Sequence, residues 1–378
     1  MMRERKKSTY GGGTVYRRKD GRYVASIKNP NTGARVVRYA RTQKEAEKKL
    51  EDIKFEIRQG TLATGPNQTL AQYLEYWLET VHRPLVRIST YYKNRGIIYN
   101  HLIPAIGKIT LQKLTPYHVQ DLCHSKEQAG LKPGTVRNIR QVLHIALDKA
   151  VSWGLVGRNV CDVVSSPKVG VRSETVLDIG QAKQLLEIAR GNRLEGLLTL
   201  TVATGLRRGE ILSLKWADVD LEGGSIQIRR TMSRVGKFGI VTTEPKTAKG
   251  RRKVILPQFV IEALKQHRQY QLERKEQAGD KWEENDFVFP NLYGRFWEPT
   301  YLDQMFKRLL VKSGLPVVRF HDLRHSAATI LLGMGIHPKV VQELLGHSQI
   351  SITLDTYSHV LPSMQQEAMK KLNERFNQ

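Results

Sequence analysis

His321 and Arg324 stand three residues apart at the head of an apolar run, in the stretch Phe320-His321-Asp322-Leu323-Arg324-His325. On a helix, residues at that spacing share a face one turn apart. An imidazole and a guanidinium so placed can grip one anionic oxygen group together. The same pair on a surface helix would do no chemistry, so its meaning depends on what accompanies it. Four further stretches matter. In Thr204-Gly205-Leu206-Arg207-Arg208-Gly209-Glu210, the glycine permits a tight turn and Arg207 projects from the first turn of a helix. Glu210, one turn on, can brace the helix start or the arginine. Glu244-Pro245-Lys246-Thr247 puts a lysine on a hairpin between strand-like runs, and Leu345-Gly346-His347-Ser348 puts a histidine just past a helix C-terminus. Asp355-Thr356-Tyr357-Ser358-His359 places a tyrosine ten residues after His347. These are the group types that neutralise an oxyanion, move protons and attack phosphorus.

The bulk of the chain points to a polyanionic partner. Its formal charge is +25 with an isoelectric point near 10.0. Residues 1–60 carry seventeen Lys and Arg against seven Asp and Glu, and residues 61–173 carry fourteen against six, so the basic excess sits in the front half. Nucleic acid fits better than a membrane, because no basic amphipathic helix with an aromatic face stands out. No apolar run of about eighteen residues exists to span a bilayer. The basic start Met1 to Gly13 lacks the apolar segment of a secretory signal. The two cysteines, Cys123 and Cys161, lie in apolar helix-like contexts and read as buried free thiols in a reducing cytoplasm.

The elements that must position these groups fall into three expected domains, 1–62, 63–170 and 171–378. In the first, strand-like runs at Thr14–Tyr16, Tyr23–Ile27 and Arg35–Tyr39 are separated by turn signals. A capping box at Thr42–Glu45 then opens a helix to about Arg58. The helix would cover one sheet face, leaving the other to carry Arg17, Arg18, Lys28, Arg35 or Arg38 among tyrosines, in a ribbon suited to a DNA groove. The second domain reads as all-α, with helices Leu70–Val81, Ser89–Tyr99, Thr115–Glu127 and Gly134–Gly154. Ser89 and Thr90 are its candidate caps. Lys93, Arg95, Lys132, Arg137 and Arg140 are its candidate phosphate contacts, with a merely solvated charged face as the alternative. The third domain reads as mostly helical α+β. Its helices are Asp178–Ala189, Leu194–Ala203, Leu206–Leu214, Tyr301–Ser313, His321–Met334, Lys339–Leu345 and Pro362–Phe376. Its strands are Ser225–Arg230, Ile240–Thr242, Lys253–Leu256 and Phe287–Phe289.

In order and spacing, TGLRRGE, PKT, HDLRH, LGH and DTYSH resemble the motifs of the tyrosine recombinases of the phage-integrase family. The resemblance covers 174–378. It implies a multidomain fold: a small β-sheet-plus-helix N-terminal domain of the arm-binding, AP2-like kind, an all-α, SAM-like core-binding domain, and a mostly helical α+β catalytic domain of the DNA breaking-rejoining type. Tyr23 stands where arm-type domains often show tryptophan.

The resemblance also implies an activity: site-specific recombination through a covalent 3′-phosphotyrosine, integrating and excising a phage or mobile element. The implied catalytic set is Arg207, Lys246, His321, Arg324, His347 and the nucleophile Tyr357. Arg207 and Arg324 would hold the non-bridging oxygens. Lys246 would protonate the leaving 5′-oxygen, with Lys249 the alternative. His321 would assist proton transfer, and His347 would bond the phosphate. His325 and His359 would support, Glu210 would brace, and Arg251 and Arg252 could contact phosphate. No cofactor or metal is expected, since side chains supply every group. The implied partners are double-stranded DNA at core and arm-type attachment sites and a homotetramer on that DNA. An excision factor and a host DNA-bending protein are candidate accessories, and the setting is the bacterial cytoplasm at the nucleoid. The last helix, with Met364, Met369, Leu372 and Phe376 apolar, would dock on a neighbouring protomer or in cis. The rival readings are a non-catalytic DNA-binding protein that kept the fold and a type IB topoisomerase.

Overall fold

A computed structural model describes residues 12–28, 33, 35–58, 62, 67–170, 175–245, 250–346, 349, 369–370 and 372–376. The chain divides into two compact units, 1–171 and 172–378.

In the first unit, β1 (Thr14–Arg17), β2 (Tyr23–Lys28) and β3 (Arg35–Ala40) form an antiparallel sheet in that order. Helix Gln43–Arg58 covers one face, with Ala25 and Ile27 packed on Leu50 and Ile53. Thr42 starts this helix: its Oγ1 accepts the Glu45 N–H at 3.3 Å, and the Glu45 carboxylate accepts the Arg41 N–H at 3.1 Å. Directly paired strand residues share a face, so register decides which side chains point away from the helix. Val15 pairs with Ala25, which pairs with Arg38, and Arg17 pairs with Tyr23. Arg17 and Arg38 therefore lie on the helix side, and Arg38 binds Glu56 of that helix at 2.6 Å. This corrects the expected face for those two. Lys28 and Arg35 pair with each other on the opposite side, which also carries Tyr16 and Tyr39.

A second apolar core, mostly helical, runs from Leu70 to Val164. Thr69 caps its first helix with a complete capping box to Gln72. Two helices outrun their expected ends. The first continues as a π-helix over Trp77–His82 and closes with Arg83–Leu85; the second passes from Ile88–Ile97 through a π-helix at Ile98–Leu102 to Ile103–Ile106. Each π-segment ends just before a proline, Pro84 or Pro104. Proline lacks an N–H and crowds the carbonyl four residues back, and the wider π-turn absorbs both faults without breaking the helix. Arg87, rather than Ser89 or Thr90, stands at the second helix's N-cap. Helices Pro116–Gln128 and Pro133–Ser152 complete the layer. The latter buries Val136, Ile139, Leu143, Ala146 and Ala150 along one stripe.

Arg140 departs from its expected role as a solvent-facing phosphate contact. It is half-buried, and its Nη2 donates to the carbonyls of Cys161 (2.5 Å) and Val164 (2.7 Å), tying the chain's exit from this core to the long helix. Cys123 and Cys161 are both buried free thiols.

The second unit opens with helix Ile179–Ile188, capped by Asp178, whose carboxylate accepts the Gln181 N–H at 2.8 Å. Just before it, the buried Leu177 donates its N–H to Ser326 Oγ at 2.9 Å. Helix Glu195–Thr204 runs through the centre of the main core. An antiparallel sheet of β4 (Val219–Asp220), β5 (Ser225–Ile228) and β8 (Arg252–Ile255) flanks it, and β6 (Thr231–Arg234) pairs with β7 (Ile240–Thr243) as a separate ribbon. Helices Pro299–Lys312, Asp322–Gly333 and Pro338–Leu345 follow. Helix Gln258–Ala278 was not expected: only Val260, Ile261 and Leu264 are buried on it, too short an apolar stripe to register as a period. Phe287 makes a single bridge to Lys215 rather than a strand. Of the last expected helix, residues 369–370 and 372–376 are described and helical, with Met369, Leu372 and Phe376 exposed.

Arg140→Met should loosen the segment 161–164 and lower unfolding stability by about 2 kcal/mol, as expected for lost bonds from a charged donor. Hydrogen exchange across 155–165, with urea denaturation, would check it.

Candidate active site

Helix Glu195–Thr204 stops at Gly205, whose φ of 61° is the left-handed turn that glycine adopts without strain. A Cβ there would overlap the Leu345 side chain. The chain can then reverse so that Arg207 takes the N-cap of helix Arg208–Leu212. Glu210 reaches back as the sequence suggested: one carboxylate oxygen accepts the Arg207 N–H at 3.1 Å, and the other binds Arg207 Nη1 at 2.8 Å. Arg207 keeps its side chain 39% exposed, so the braced guanidinium still faces outward.

His321 takes the N-cap of helix Asp322–Gly333, and Arg324 follows within the first turn. Arg324 is buried, and its Nη1 donates to the Gly205 carbonyl at 2.9 Å. The two arginine motifs therefore meet at the glycine turn, although over a hundred residues separate them in sequence. Asp322 anchors the helix start, accepting the Arg319 N–H at 2.9 Å and its Nε at 3.0 Å. Burial alone would raise the Asp322 pKa, but the Arg319 bonds outweigh it and hold the carboxyl below its ordinary value.

His321 has an exposed edge, yet the protein packed around its ring removes water and lowers its pKa well below the usual histidine range. The neighbouring His325, Arg324 and Arg207 act the same way, and Asp322 opposes them. The His321 and His325 rings meet edge to face with centroids 5.6 Å apart. A neutral imidazole at neutral pH can accept a proton, as a base requires.

Glu210 is 3% exposed and binds a second guanidinium that sequence reasoning assigned to phosphate contact. Arg252, at the start of β8, is almost as buried and donates from Nη2 to Glu210 at 3.1 Å. Its Nε donates to the Leu344 carbonyl at 2.7 Å. Arg207 Nη2 reaches the Gly346 carbonyl at 3.3 Å. Burial would push the Glu210 carboxyl up, but Arg252 and Arg207 together hold it below the usual carboxylate range, so it stays ionised. Arg251, the neighbour, pairs with Glu244 and stays exposed. The motif Gly250-Arg251-Arg252 carried only the signal of basic charge; nothing in it says which arginine turns inward.

Arg207 and His321 line a groove of about 940 Å³, between the β6–β7 ribbon and helix Pro299–Lys312. Arg208, Arg234, Lys307 and Arg319 add positive charge to its wall. Arg208 and Arg234 are ion-paired there with Asp303 and Glu298. Sequence reasoning did not single out these basic residues; Arg208 lies within the TGLRRGE motif, while Arg234 and Lys307 come from segments with no motif of their own.

Lys246, Lys249, His347 and Tyr357 lie outside the described residues. Lys246 falls between β7 and β8, and His347 follows directly on Gly346, the left-handed C-cap of helix Pro338–Leu345. In the first unit Arg18, Lys28, Arg35, Lys93, Arg95, Lys132 and Arg137 are exposed. Arg18 lies over the Tyr39 ring at 5.5 Å and Arg95 over Tyr99 at 4.9 Å, arrangements that hold a cation outward on a flat support. Among the described residues one group could offer metal ligands, His144, Asp148 and Asp162 in the first unit. Both ring nitrogens of His144 face these carboxylates, at 3.1 and 2.8 Å, so the three side chains already partner one another.

Comparison with known proteins gives this arrangement its setting. Residues 175–364 match the Phage integrase family, and residues 69–126 match the phage integrase N-terminal SAM-like domain. A tyrosine recombinase XerC-like protein of Caldanaerobacter subterraneus subsp. tengcongensis is 31% identical over 357 residues, covering 89% of this chain and 91% of that protein. Two solved structures share the fold. The Tn1549 transposon integrase in complex with transposon right end DNA superposes with a TM-score of 0.70 at 22% identity, over 81% of this chain and all of that one. The lambda integrase tetramer bound to a Holliday junction gives 0.57 at 18% identity, over 93% and 96%.

Gly205→Ala should destabilise the second unit by at least about 1–2 kcal/mol from backbone strain alone, with the Leu345 overlap adding to it. Chemical denaturation measures this. The His321 imidazole should titrate well below the usual histidine midpoint in the DNA-free protein, which a ¹H–¹⁵N NMR pH titration against His321→Gln would show.

Proposed function

The chain belongs to the phage integrase family, and from that membership we propose how its residues divide the work of cutting and rejoining DNA. It is a tyrosine-type site-specific recombinase. The observation that carries the residue assignment is the meeting of Arg324 with the Gly205 turn that launches Arg207, beside the depressed imidazole of His321.

Arg207 and Arg324 bind the non-bridging oxygens of the scissile phosphate, where planar guanidinium forks match the geometry. Tyr357 is the nucleophile. Its oxygen forms a bond to phosphorus as the bond to the 5′-oxygen breaks, and its proton passes to His321. Lys246, with Lys249 as the alternative, gives a proton to the departing 5′-oxygen. His347 hydrogen-bonds the phosphate as charge builds on it. The product is a 3′-phosphotyrosyl ester that keeps the bond energy, so attack by another strand's 5′-hydroxyl reseals the backbone. A free phenol with a pKa near 10 is a poor nucleophile at neutral pH, and neighbouring guanidiniums lower it.

In this reading residues 63–170 and 171–378 grip the core site, and residues 1–62 bind separate arm-type sites through Arg18, Lys28, Arg35 and the tyrosines near them. Lys93, Arg95, Lys132 and Arg137 contact core-site phosphates, and Arg140 supports them from behind. The working form is a homotetramer on DNA that integrates and excises a phage or mobile element, assisted by an excision factor and a host bending protein. The lambda integrase tetramer on a Holliday junction supports that assembly by analogy of fold. Among the described residues no helix is long and apolar enough to cross a membrane, and the proposed setting is the bacterial cytoplasm at the nucleoid.

A nicked suicide substrate tests the chemistry. The wild-type chain should accumulate a covalent protein–DNA adduct and Tyr357→Phe none; an adduct in Tyr357→Phe would refute the nucleophile. Arg207→Ala or Arg324→Ala should slow adduct formation by about 10²–10³, the loss typical of one preorganised oxyanion donor. Relaxation of any plasmid regardless of sequence would favour a topoisomerase instead.

A further inference from the structure

Arg252 belongs to none of the motifs that carry the reaction, yet it is among the most enclosed cations in the catalytic unit, with a side chain 8% exposed. Burying a guanidinium costs several kcal/mol unless its donors are matched, so its partners reveal its use. They come from three directions. Nη2 donates to Glu210 at 3.1 Å, with Nη1 at 3.5 Å to the other carboxylate oxygen. Nε donates to the Leu344 carbonyl at 2.7 Å, and Nη1 to the Gly250 carbonyl at 3.2 Å.

Each partner lies within four residues of a proposed reacting group. Glu210 holds Arg207 through its other bonds. Leu344 lies in the last turn of helix Pro338–Leu345, two residues before the left-handed Gly346 and three before His347. Gly250 closes the connection from β7 that carries Lys246 and Lys249. A carbonyl at a helix C-terminus lacks an intrahelical partner, so a fixed donor there sets where the chain leaves the helix. Arg207 adds a second such donor at Gly346.

We propose that Arg252 is a positioning residue for strand cleavage: its one planar fork holds Arg207, through Glu210, in fixed relation to the end of helix Pro338–Leu345 and to Gly250 at the entry to β8. The proposal rests on the catalytic assignments above. A lysine would keep the charge beside Glu210 but offers a single point of attachment, and it cannot reach three acceptors in fixed directions. The interaction needs a fork, not only a cation.

The test uses the full chain with Arg252→Gln and Arg252→Lys, beside wild type and Tyr357→Phe, on the nicked suicide substrate. Cleavage is measured at saturating protein, at a temperature where circular dichroism shows every variant fully folded. DNA affinity is measured separately. Both Arg252 variants should bind DNA within about threefold of wild type and cleave about a hundredfold more slowly, the penalty expected when reacting groups are misplaced by about an ångström. A lowered melting temperature with an unchanged saturated rate would mean that Arg252 serves stability alone and would overturn the proposal. Full recovery of rate by Arg252→Lys would overturn it too, since charge would then suffice. If wild type forms no Tyr357-dependent adduct, the catalytic assignments fail and the proposal goes with them. A wild-type adduct with unslowed Arg252 variants removes the proposal alone.

Discussion

The buried carboxylate of Glu210 is the constraint from which the catalytic unit is built outward. An ionised carboxyl taken out of water is unfavourable by several kcal/mol, and attraction to one cation seldom offsets that. Here two guanidiniums converge on it, Arg207 through the main-chain N–H and Nη1, and Arg252 through Nη2. With its oxygens matched by donors, the charge becomes tolerable at 3% exposure. Removing either arginine would leave an undercompensated buried ion, so the three side chains hold one another in a single arrangement. The result is that Arg207, although 39% exposed, is nevertheless fixed in direction by buried partners.

Two left-handed glycines translate that fixed point into chain geometry. Gly205 ends one helix and Gly346 another, and the turn at Gly205 carries the backbone from a buried helix to Arg207. Gly205 also gives its carbonyl to Arg324 and leaves room for Leu345, so helices Glu195–Thr204, Asp322–Gly333 and Pro338–Leu345 meet around a residue with no side chain. Arg207, His321 and Arg324 thus sit at helix starts on a packed core. Such placement keeps them oriented without rearrangement at the moment of reaction.

Much of this was legible in the amino-acid sequence because it is local. The i, i+3 relation of His321 and Arg324, the brace from Glu210 to Arg207, and the caps at Thr42 and Asp178 depend on residues within a turn of one another, and the structure realises each. Where reading ran out, the deciding partner was distant or the pattern weak. Charge alone could not tell Arg252 from Arg251, since one meets a carboxylate forty residues earlier and the other does not. Arg38 looked like a surface cation until strand register put it beside Glu56. Arg140 fell on the polar side of its helix, and only the chain's return past Val164 shows why it points inward. Helix Gln258–Ala278 buries so little that periodicity could not announce it, although its Gln, Glu, Lys, Arg and Leu content favours helix throughout. The helices expected to end at Val81 and Tyr99 run on to Leu85 and Ile106 through π-turns, a tertiary accommodation with no short-range signature.

The two thiols have a practical consequence. Both are buried, and burial pushes Cys161 up to about 12 and raises Cys123 as well. Thiolate is the reactive species, so neither side chain offers a maleimide or iodoacetamide reagent much to attack. A chain of 378 residues with only these two cysteines is in effect cysteine-silent while folded. A single cysteine introduced on the surface can therefore take a fluorophore or spin label selectively without replacing either native one. The core of the helical domain keeps its own packing while distances are followed in solution.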